Sequence, residues 1–249
     1  MSETPRPAVL TIAGLDPGGG AGLLADVEAI RACGGDPRAV CAALTAQGRE
    51  VIGSYAVDPS ILEQQIHSVV PVAAVKTGMM PTEAAVERIT FLVVHGELPA
   101  PVVDPVRHAS SGMTLMDDLA SDRLRQSLVP RAAAVTPNLD EAAWLADRDV
   151  NSVEQMEDAA RALLDLGAGL AVITGGHLED EQLVDVAMAA GDAEPWRIER
   201  RRVPGTARGT GCRFSAALAT YLARGDAPRV AVERAGDHVA SYVELARAR

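Results

Sequence analysis

The hydrophobic positions of this chain follow two patterns that alternate along most of its length. Short runs that are apolar at nearly every position are typical of buried parallel strands. They occur at 8–13, 39–45, 73–76, 101–104, 132–136 and 170–174. Segments with apolar residues at helical spacing lie between them, near 21–33, 59–70, 81–95, 117–128, 139–146 and 152–166. Strands that alternate with amphipathic helices predict an α/β fold, in which helices cover both faces of a mostly parallel sheet.

The pattern changes after residue 182, where two β-like runs flank Ala190, Gly191 and Asp192. Small and polar residues between two such runs predict a β-hairpin over 182–203. Two more helical segments follow at 210–224 and 227–247. No internal repeat, low-complexity linker or break in composition divides the chain, so we expect one domain over residues 1–249.

Polar and glycine-rich loops follow five of the six predicted parallel strands. They span residues 14–20, 76–79, 104–106, 136–138 and 174–177. Ligands of open parallel sheets bind beyond the carboxyl ends of the strands. The loops therefore predict a binding crevice at that edge of the sheet.

The composition excludes several classes of protein. The 249 residues include 23 basic and 34 acidic side chains, for a net charge of -11, whereas a nucleic-acid-binding surface needs a basic face. The three cysteines, Cys33, Cys41 and Cys212, form neither a CxxC pair nor a metal-ligand spacing. No apolar run approaches the roughly 20 residues of a membrane span, and the chain starts without a signal-peptide pattern. We expect a cytoplasmic protein with reduced thiols that binds neither nucleic acid nor membrane.

Lysine is nearly absent from the chain. Lys76 is the only one, so the other 22 of the 23 basic side chains are arginines. Either Lys76 is a surface residue that by chance has not been replaced by arginine, or its position requires an ammonium group. The second reading gains weight because Lys76 ends a predicted strand at the binding edge, and because arginine does not replace lysine at a tightly packed site.

The segment Gly209-Thr210-Gly211-Cys212 stands directly before a strongly helical run. Glycines let backbone amides converge, and a helix N-terminus adds partial positive charge, so the segment is either an anion site or an ordinary helix start. At such an end a cysteine would have a lowered pKa and a larger thiolate fraction. Otherwise Cys212 is a small buried residue.

Two nucleotide motifs fit poorly. Gly20-Ala21-Gly22-Leu23-Leu24-Ala25 matches the dinucleotide pattern GxGxxA, but the second predicted strand ends at Thr45-Ala46-Gln47 without the required acid. No GxxxxGK[ST] sequence is present. A nucleotide would therefore be bound by another design, and a dinucleotide oxidoreductase is a distant alternative.

The segment Asn138-Leu139-Asp140-Glu141 opens a predicted helix. Asn138 is either an ordinary N-cap with acids that complement the helix dipole, or part of a magnesium site in which Glu141 holds ordered waters. Asp104 is either a turn residue before Pro105 or a second water-mediated metal contact. His177 either caps a turn or faces a nucleotide.

Taken together and in order, these segments resemble the hydroxymethylpyrimidine/phosphomethylpyrimidine kinases of thiamine synthesis, which belong to the ribokinase superfamily and are related to pyridoxal kinases. The resemblance extends from about residue 9 to residue 223. The matching segments are Thr11-Ile12-Ala13-Gly14, Asp16-Pro17, Gly19-Gly20-Ala21-Gly22, Thr45-Ala46-Gln47, Val75-Lys76-Thr77-Gly78-Met79, Val103-Asp104-Pro105-Val106, Ser111-Gly112, Thr136-Pro137-Asn138 with Glu141, Gly175-Gly176-His177-Leu178 and Gly209-Thr210-Gly211-Cys212 with Ser215-Ala216-Ala217. The resemblance implies a three-layer α-β-α ribokinase-like fold and a homodimer that uses ATP and Mg²⁺.

The resemblance also implies a role for individual residues. It places around the pyrimidine ring Gly14, Asp26, Gln47, Met79 and Val106. It assigns to the anion hole and to proton transfer Gly209, Thr210, Gly211 and Cys212, with the cysteine as the base for the substrate hydroxymethyl group. It assigns to the ATP side Lys76, Asn138, Thr174, Gly176 and His177, and to magnesium Asp104 and Glu141.

The chain departs from the family pattern where phosphate is expected. Thr174 and Ser110 stand where the family usually has lysine, whereas Arg107, Arg208 and Arg213 replace residues that are usually uncharged or histidine. The family phosphorylates first an alcohol and then the resulting monophosphate, and the second step must hold an extra phosphate. We hypothesise that at least one of the three arginines supplies the missing charge.

Three further functions remain open from the sequence. A pyridoxal kinase uses the same scaffold on another hydroxymethyl heteroaromatic compound, although Asp26 and Gln47 favour an aminopyrimidine. A pyrimidine kinase limited to the first phosphorylation would also fit the lost lysines. A ligand sensor without catalysis fits less well, because the Gly209–Cys212 segment is intact.

Overall fold

The computed structural model describes residues 5–47, 51–109, 112–176, 182–203 and 207–247, without the side chains of Gln47 and Val51. In this part of the chain, nine strands form one central sheet. The strands are β1 Ala8–Leu15, β2 Asp36–Gln47, β3 Val51–Ala56, β4 Ala74–Thr77, β5 Val102–Val103, β6 Ala134–Val135, β7 Leu170–Ile173, β8 Gln182–Ala189 and β9 Trp196–Arg201. Their order across the sheet is β3-β2-β1-β4-β5-β6-β7-β8-β9. The six central strands from β2 to β7 are parallel, and both edges are antiparallel.

Helices cover both faces of the sheet. They are α1 Gly22–Ala32, α2 Pro59–His67, α3 Glu83–Val94, α4 Asp118–Arg123, α5 Leu139–Ala146, α6 Val153–Asp165, α7 Thr210–Ala223 and α8 Pro228–Arg247. Side chains of a strand alternate between the faces, so Leu10 and Ile12 pack with α2 to α6, whereas Val9 packs with α1, α7 and α8. This arrangement confirms the predicted three-layer α/β fold. None of the described helices is long and apolar enough to cross a membrane.

The structure differs from the predicted elements mainly in two places. β3 was not predicted, because Ile52 and Tyr55 are 85% and 68% exposed and therefore lack the pattern of a strand packed against a core. The single helix predicted over 117–128 ends at Arg123 and continues as a π-helical turn, Leu124–Leu128, and a 3₁₀ turn, Val129–Arg131. Pro130 has no amide hydrogen to donate, which disfavours continuation of the helix.

Candidate active site

The strand order places a crevice beyond the carboxyl ends of β1 and β4. β1 pairs with β2 on one side and with β4 on the other. The helix that follows β1 packs on one face of the sheet, and the helix that follows β4 packs on the other. Helices that diverge in this way leave a cleft at the strand ends, which is where ligands of open α/β sheets bind.

A buried ion cluster forms the floor of this crevice. The Lys76 Nζ atom lies 2.9 Å from Oδ2 of Asp26 and 3.5 Å from Oδ2 of Asp104. Thr11, which is opposite Lys76 in the β1–β4 pairing, donates its hydroxyl to the same Asp26 oxygen at 2.6 Å. The Ser215 hydroxyl of α7 lies 3.0 Å from Oδ2 of Asp104. The cluster thus joins α1, two strands, the loop after β5 and α7.

The electrostatics of the cluster keep Lys76 charged. Its burial would lower the pKa of Lys76, but the acidic groups around it, Asp26 first and then Cys212 and Asp104, together raise that pKa above its ordinary value. Oδ1 of Asp26 is buried, and no described residue donates a hydrogen bond to it. A buried acceptor without a donor is costly, so a ligand group that donated a hydrogen bond to this oxygen would remove that cost.

The start of α7 has the geometry of an anion site. Gly209 precedes the helix with φ of 69°, and a Cβ at this position would collide with the carbonyl oxygen of Gly20. No side chain in the described ranges caps this helix start. The first amides of α7 therefore remain available to an anion, in the manner of helix N-termini that bind phosphate.

Cys212 lies in the first turn of α7 and close to the start of α1. The backbone N–H of Gly22 donates a hydrogen bond to its sulfur. The lowered pKa that the sequence predicted for Cys212 is wrong. Burial is the main cause that raises the pKa of the thiol to about 12; Asp104 and Asp26 raise it further, and Lys76 and the Gly22 amide only partly offset these effects. The thiol of the ligand-free chain therefore holds its proton at neutral pH.

The loop after β1 is fixed against the start of α7. The buried Asp16 carboxylate accepts hydrogen bonds from the amides of Gly18 at 2.8 Å and Ala21 at 3.1 Å. Gly22 has φ of 59°, and a Cβ there would collide with the carbonyl oxygen of Gly14. The two glycine-rich segments of the sequence thus meet over the ion cluster.

Asn138 and Glu141 form a capping box at the start of α5. Asn138 Oδ1 accepts a hydrogen bond from the Glu141 amide at 2.9 Å, and the Glu141 carboxylate accepts one from the Asn138 amide at 3.0 Å. The N-cap interpretation of Asn138 is therefore confirmed. Burial and the nearby carboxylate of Asp104 raise the pKa of Glu141 to about 8.

Glu141 is expected to make the stability of the ligand-free chain depend on pH. The pKa of Glu141 is about 8 in the folded chain, above its ordinary value of 4.5. At a pH between these two values the folded state binds more protons than the unfolded state, so the free energy of unfolding falls as pH rises from about 5 to 8. Glu141→Gln should flatten this part of the profile, as measured by urea unfolding without Mg²⁺. Glu244→Gln, in an exposed glutamate of α8, should leave the profile unchanged. An unaltered slope in E141Q would contradict the account.

The carboxylates near α5 fit a hydrated cation better than a directly ligated one. Asp104 is buried and close enough to Glu141 to raise its pKa, which is the situation that a divalent cation relieves. Among the described residues, no group of three or more His, Cys, Asp or Glu side chains could hold a metal ion directly. Magnesium usually keeps several waters and takes one or two carboxylates together with substrate phosphates, so Asp104 and Glu141 fit that mode.

The predicted ATP side is only partly described. The Thr174 amide donates to the carbonyl of Pro137 at 2.9 Å, which brings the loops after β6 and β7 together beside Asn138. Arg202 donates to the carbonyl of Gly176 at 3.0 Å. His177 lies outside the described residues, as do Ser110 and Ser111. The nucleotide contacts of this edge, including that of Lys76, stay predictions; Lys76 itself lies in the buried ion cluster.

The predicted ring contacts lie along the ends of β1, β4 and β5. A Cβ at Gly14 would lie 2.7 Å from Sδ of Met79, so these two residues touch. Val106 follows Asp104 in the loop after β5, and its amide bonds to the Asp104 carbonyl at 2.9 Å. Gln47 ends β2 opposite Val51, and its side chain lies outside the described part of the structure. The ring contacts stay predictions.

The three arginines considered for phosphate have different surroundings. Arg208 pairs with Asp16 at 3.1 Å. Arg213 is buried, pairs with Glu28 at 2.8 Å and stacks on Tyr242 at 3.8 Å. The Arg107 guanidinium lies 4.7 Å from the ring centre of Trp144 on α5, and its Nε is buried without a hydrogen-bond partner in the described chain. Arg107 is thus the arginine with the least engaged guanidinium.

Sequence reasoning missed three polar residues that organise the site. Thr11, Asp16 and Ser215 lie in the matching segments but were given no role; they hold Asp26, the loop after β1 and Asp104, respectively. A threonine within an apolar strand was a usable signal, because a buried hydroxyl needs a partner. The partners of the other two come from distant segments, which spacing does not reveal.

Comparison with known proteins gives consistent matches over nearly the whole chain. The family model described as Phosphomethylpyrimidine kinase matches residues 16–248. The hydroxymethylpyrimidine/phosphomethylpyrimidine kinase of Streptomyces coelicolor is 38% identical over 245 residues, which cover 95% of this chain and 88% of that protein. The thiamine biosynthesis bifunctional protein ThiED of Geobacter sulfurreducens is 38% identical over 98% of this chain, and the chain spans half of its length.

Solved structures with similar folds belong to two kinds of kinase. The phosphomethylpyrimidine kinase of Clostridium difficile aligns with a TM-score of 0.81 at 30% identity, covering 97% of this chain and 99% of that one. The pyridoxal kinase of Bacillus subtilis, solved as an ADP complex, aligns with a TM-score of 0.85 at 30% identity, covering 94% of this chain and 90% of that one. The fold similarity alone therefore does not separate the two substrates.

Proposed function

The chain belongs to the phosphomethylpyrimidine kinase family, and from this premise we propose that it phosphorylates 4-amino-5-hydroxymethyl-2-methylpyrimidine and then its monophosphate, with ATP as donor, in thiamine biosynthesis. It is a phosphotransferase of ribokinase-like fold. The similarity to a kinase solved with ADP supports the use of an adenine nucleotide. The proposal goes beyond family membership in naming the acceptor and the residues that act on it.

One observation carries the proposal: the unpartnered carboxylate oxygen of Asp26 lies near the start of α7. Burial at this oxygen favours a ligand that donates a hydrogen bond, and an aminopyrimidine offers such a donor. The Cys212 thiol is close enough to Asp26 and Asp104 for both carboxylates to raise its pKa. A ring held at Asp26 would therefore bring its hydroxymethyl group to Cys212 and the helix amides.

The chemistry follows from these positions. In the loaded site, Cys212 in its thiolate form takes the hydroxyl proton as the substrate oxygen bonds to the γ-phosphorus and the bond from that phosphorus to ADP breaks. The amides of Gly209, Thr210, Gly211 and Cys212 stabilise the charge on the transferred phosphoryl group. Phosphoryl transfer depends mainly on this positioning and charge stabilisation. Since the ligand-free thiol is neutral, it releases its proton to solvent as the site is loaded, before the phosphoryl transfer.

The rest of the ring site follows the loops beyond the strands. Gly14, Met79, Val106 and Gln47 surround the pyrimidine in the proposal, with Asp26 at its polar edge. The contact between Gly14 and Met79 supports this arrangement, because it brings two of the proposed ring contacts together at the ends of β1 and β4. In the proposal the nucleotide contacts Asn138, Thr174 and Gly176, and His177 is expected to be a further nucleotide contact.

Magnesium completes the proposed nucleotide site. Asp104 and Glu141 would hold the ion through its waters, and the ion would supply positive charge that neutralises the phosphates. The raised pKa of Glu141, about 8, supports this assignment, because a nearby cation would stabilise the ionised carboxyl group. Asn138 fixes Glu141 through the capping box.

Arg107→Ala is expected to impair the second phosphorylation more than the first. A charge-assisted hydrogen bond contributes about 1.5–3 kcal/mol, so kcat/KM for the monophosphate should fall by about 10- to 100-fold, while that for the alcohol changes little. The two steps are measured separately with each acceptor. Arg208→Ala and Arg213→Ala remove ion pairs that hold the protein together and should affect both steps alike. A second step that none of the three variants impairs would refute the arginine hypothesis.

Pyridoxal is the second candidate acceptor, because a pyridoxal kinase is among the similar structures. Both compounds are heteroaromatic rings with a hydroxymethyl group, so the same transfer geometry serves either one. Asp26 favours the aminopyrimidine, whose amino group donates a hydrogen bond. The chain is therefore proposed to prefer the pyrimidine.

An ADP-release assay with three acceptors tests the proposed function. We expect turnover with hydroxymethylpyrimidine and with its monophosphate, and a lower kcat/KM with pyridoxal. Preference for pyridoxal would replace the proposal by a pyridoxal kinase. Activity with none of the three acceptors would refute both. Turnover of the alcohol but not of the monophosphate would limit the chain to the first step.

The proposal also includes a homodimer in the cytoplasm. The exposed apolar side chains Leu44, Ile52 and Tyr55 on the β2–β3 hairpin support self-association. Cys33, Cys41 and Cys212 are all unpaired thiols, as expected of a reducing compartment. Sedimentation equilibrium tests the dimer, and Ile52→Asp should shift the chain toward monomer if this hairpin forms the interface.

A further inference from the structure

Lys76 is the only lysine of the chain, and its side chain is completely buried. A surface residue that merely escaped exchange for arginine would not lie in the interior, so the position itself selects an ammonium group. The packing gives the reason. A Cβ at Gly78 would lie 2.8 Å from the Lys76 Nζ and 3.2 Å from the Ala13 side chain. The larger planar guanidinium of arginine would have to displace these neighbours.

Lys76 and Thr11 hold one oxygen of Asp26 and leave the other without a partner. Both donate to Oδ2, at 2.9 Å and 2.6 Å. The β1–β4 pairing places Thr11 opposite Lys76, so the two donors approach the carboxylate from neighbouring strands. This arrangement fixes the plane of the carboxylate and leaves Oδ1 buried without a donor among the described residues.

The second ion pair of Lys76 determines where its ammonium lies. Asp104 is 3.5 Å from Nζ and near the Ser215 hydroxyl of α7. The ammonium is therefore drawn between two carboxylates, one on α1 and one in the loop after β5. Neither carboxylate can turn toward the other without losing this cation, because burying an unpaired charge is strongly unfavourable.

We propose that Lys76 is a positioning residue for substrate recognition: it clamps Oδ2 of Asp26 so that Oδ1 faces the hydrogen-bond donor of the heteroaromatic substrate. This inference rests on the proposed function. It assigns Lys76 to the ring side of the site and not to the nucleotide. Its effect passes through Asp26, so removal of Asp26 removes the effect of Lys76.

A double-mutant cycle tests this dependence. Lys76→Met, Asp26→Asn and the double variant are compared by kcat, by KM for hydroxymethylpyrimidine and by KM for ATP. Loss of an oriented, charged acceptor should raise the KM of the pyrimidine by about 10- to 100-fold in K76M and leave the KM for ATP within about threefold. In the Asp26→Asn background, adding K76M should change the pyrimidine KM by no more than about twofold.

The split between KM and kcat separates positioning from a structural role. A variant that only loses folded protein lowers kcat through fewer active molecules and keeps its KM values. Arg234→Met is the matched control, because it removes the Arg234–Asp226 ion pair at the far end of α7, about 20 Å from Cys212 by helix rise. It should lower stability without changing the pyrimidine KM.

Thr11→Val supplies a second test if K76M does not fold. It removes the other donor to Oδ2 while keeping the size of the side chain, so a several-fold rise in pyrimidine KM is expected, again absent in the Asp26→Asn background. An unchanged pyrimidine KM in both K76M and T11V would overturn the inference. So would a rise in pyrimidine KM that K76M still causes in the Asp26→Asn background, or a K76M effect on the KM for ATP instead of the KM for the pyrimidine. If the wild-type chain turns over no pyrimidine, the proposed function fails before this test begins.

Discussion

Replacement of Cys212 by alanine is expected to lower kcat by about 10²- to 10⁴-fold, which is the range that a positioned general base contributes. The sulfur lies where the starts of α1 and α7 meet, near Asp26 and Asp104. Alanine leaves the helix amides in place, so anion binding should persist and the KM for ATP should change little. The loss should appear in single-turnover measurements of phosphoryl transfer.

The protonation of Cys212 gives an independent check of this role. With a pKa of about 12, the thiol of the ligand-free chain should react slowly with iodoacetamide at pH 7.5, and the reaction should quicken as pH rises. Cys41→Ala is the control variant, because the Cys41 thiol donates to the Ala43 carbonyl within β2, and it should keep wild-type kcat. A C212A enzyme with wild-type kcat would remove the cysteine from the reaction.

Gly209→Ala is expected to reduce kcat/KM by about 10²-fold, the effect of displacing reacting groups by about 1 Å. Gly209 has φ of 69°, and an added Cβ would collide with the Gly20 carbonyl oxygen. Relief of the collision must move the start of α7 away from the loop after β1. The amides would then no longer converge on the transferred phosphoryl group.

Gly191→Ala is the control that separates the loss of activity in Gly209→Ala from an effect of backbone strain alone. Gly191 in the β8–β9 hairpin has φ of 96°, and a Cβ there meets nothing within 4 Å. Both variants should lose about 1–2 kcal/mol of stability from the left-handed conformation, measured by urea unfolding. Only G209A should also lose activity, and equal activity in the two variants would contradict the anion-site assignment.

The sequence predicted the parallel core well because its strands are buried on both faces. The runs at 8–13 and 170–174 are apolar except for Thr11 and Thr174 and correspond to β1 and β7. β3 could not be found in this way, because its apolar side chains Ile52 and Tyr55 face outward and no core imposes a pattern on them. The helix prediction over 117–128 extended too far because periodicity does not reveal where a helix changes to wider and tighter turns.

The candidate site was predictable in its location but not in its electrostatics. Glycine-rich segments after strands indicated where the loops meet, and Gly209 and Gly22 do meet the loop after β1. The pKa of Cys212 was predicted in the wrong direction because the helix ends are visible in the sequence, whereas burial and the carboxylates of Asp26 and Asp104 come from distant segments. The partners of Lys76 were hidden for the same reason.

The central claim is that one site adds two phosphoryl groups in succession to the hydroxymethyl group of an aminopyrimidine. Mass spectrometry of the products over time, starting from hydroxymethylpyrimidine with ATP and Mg²⁺, tests it most directly. We predict that the monophosphate rises first and then declines as the diphosphate accumulates, and that C212A forms neither at an appreciable rate. Recovery of unmodified hydroxymethylpyrimidine from the wild-type reaction would contradict the account.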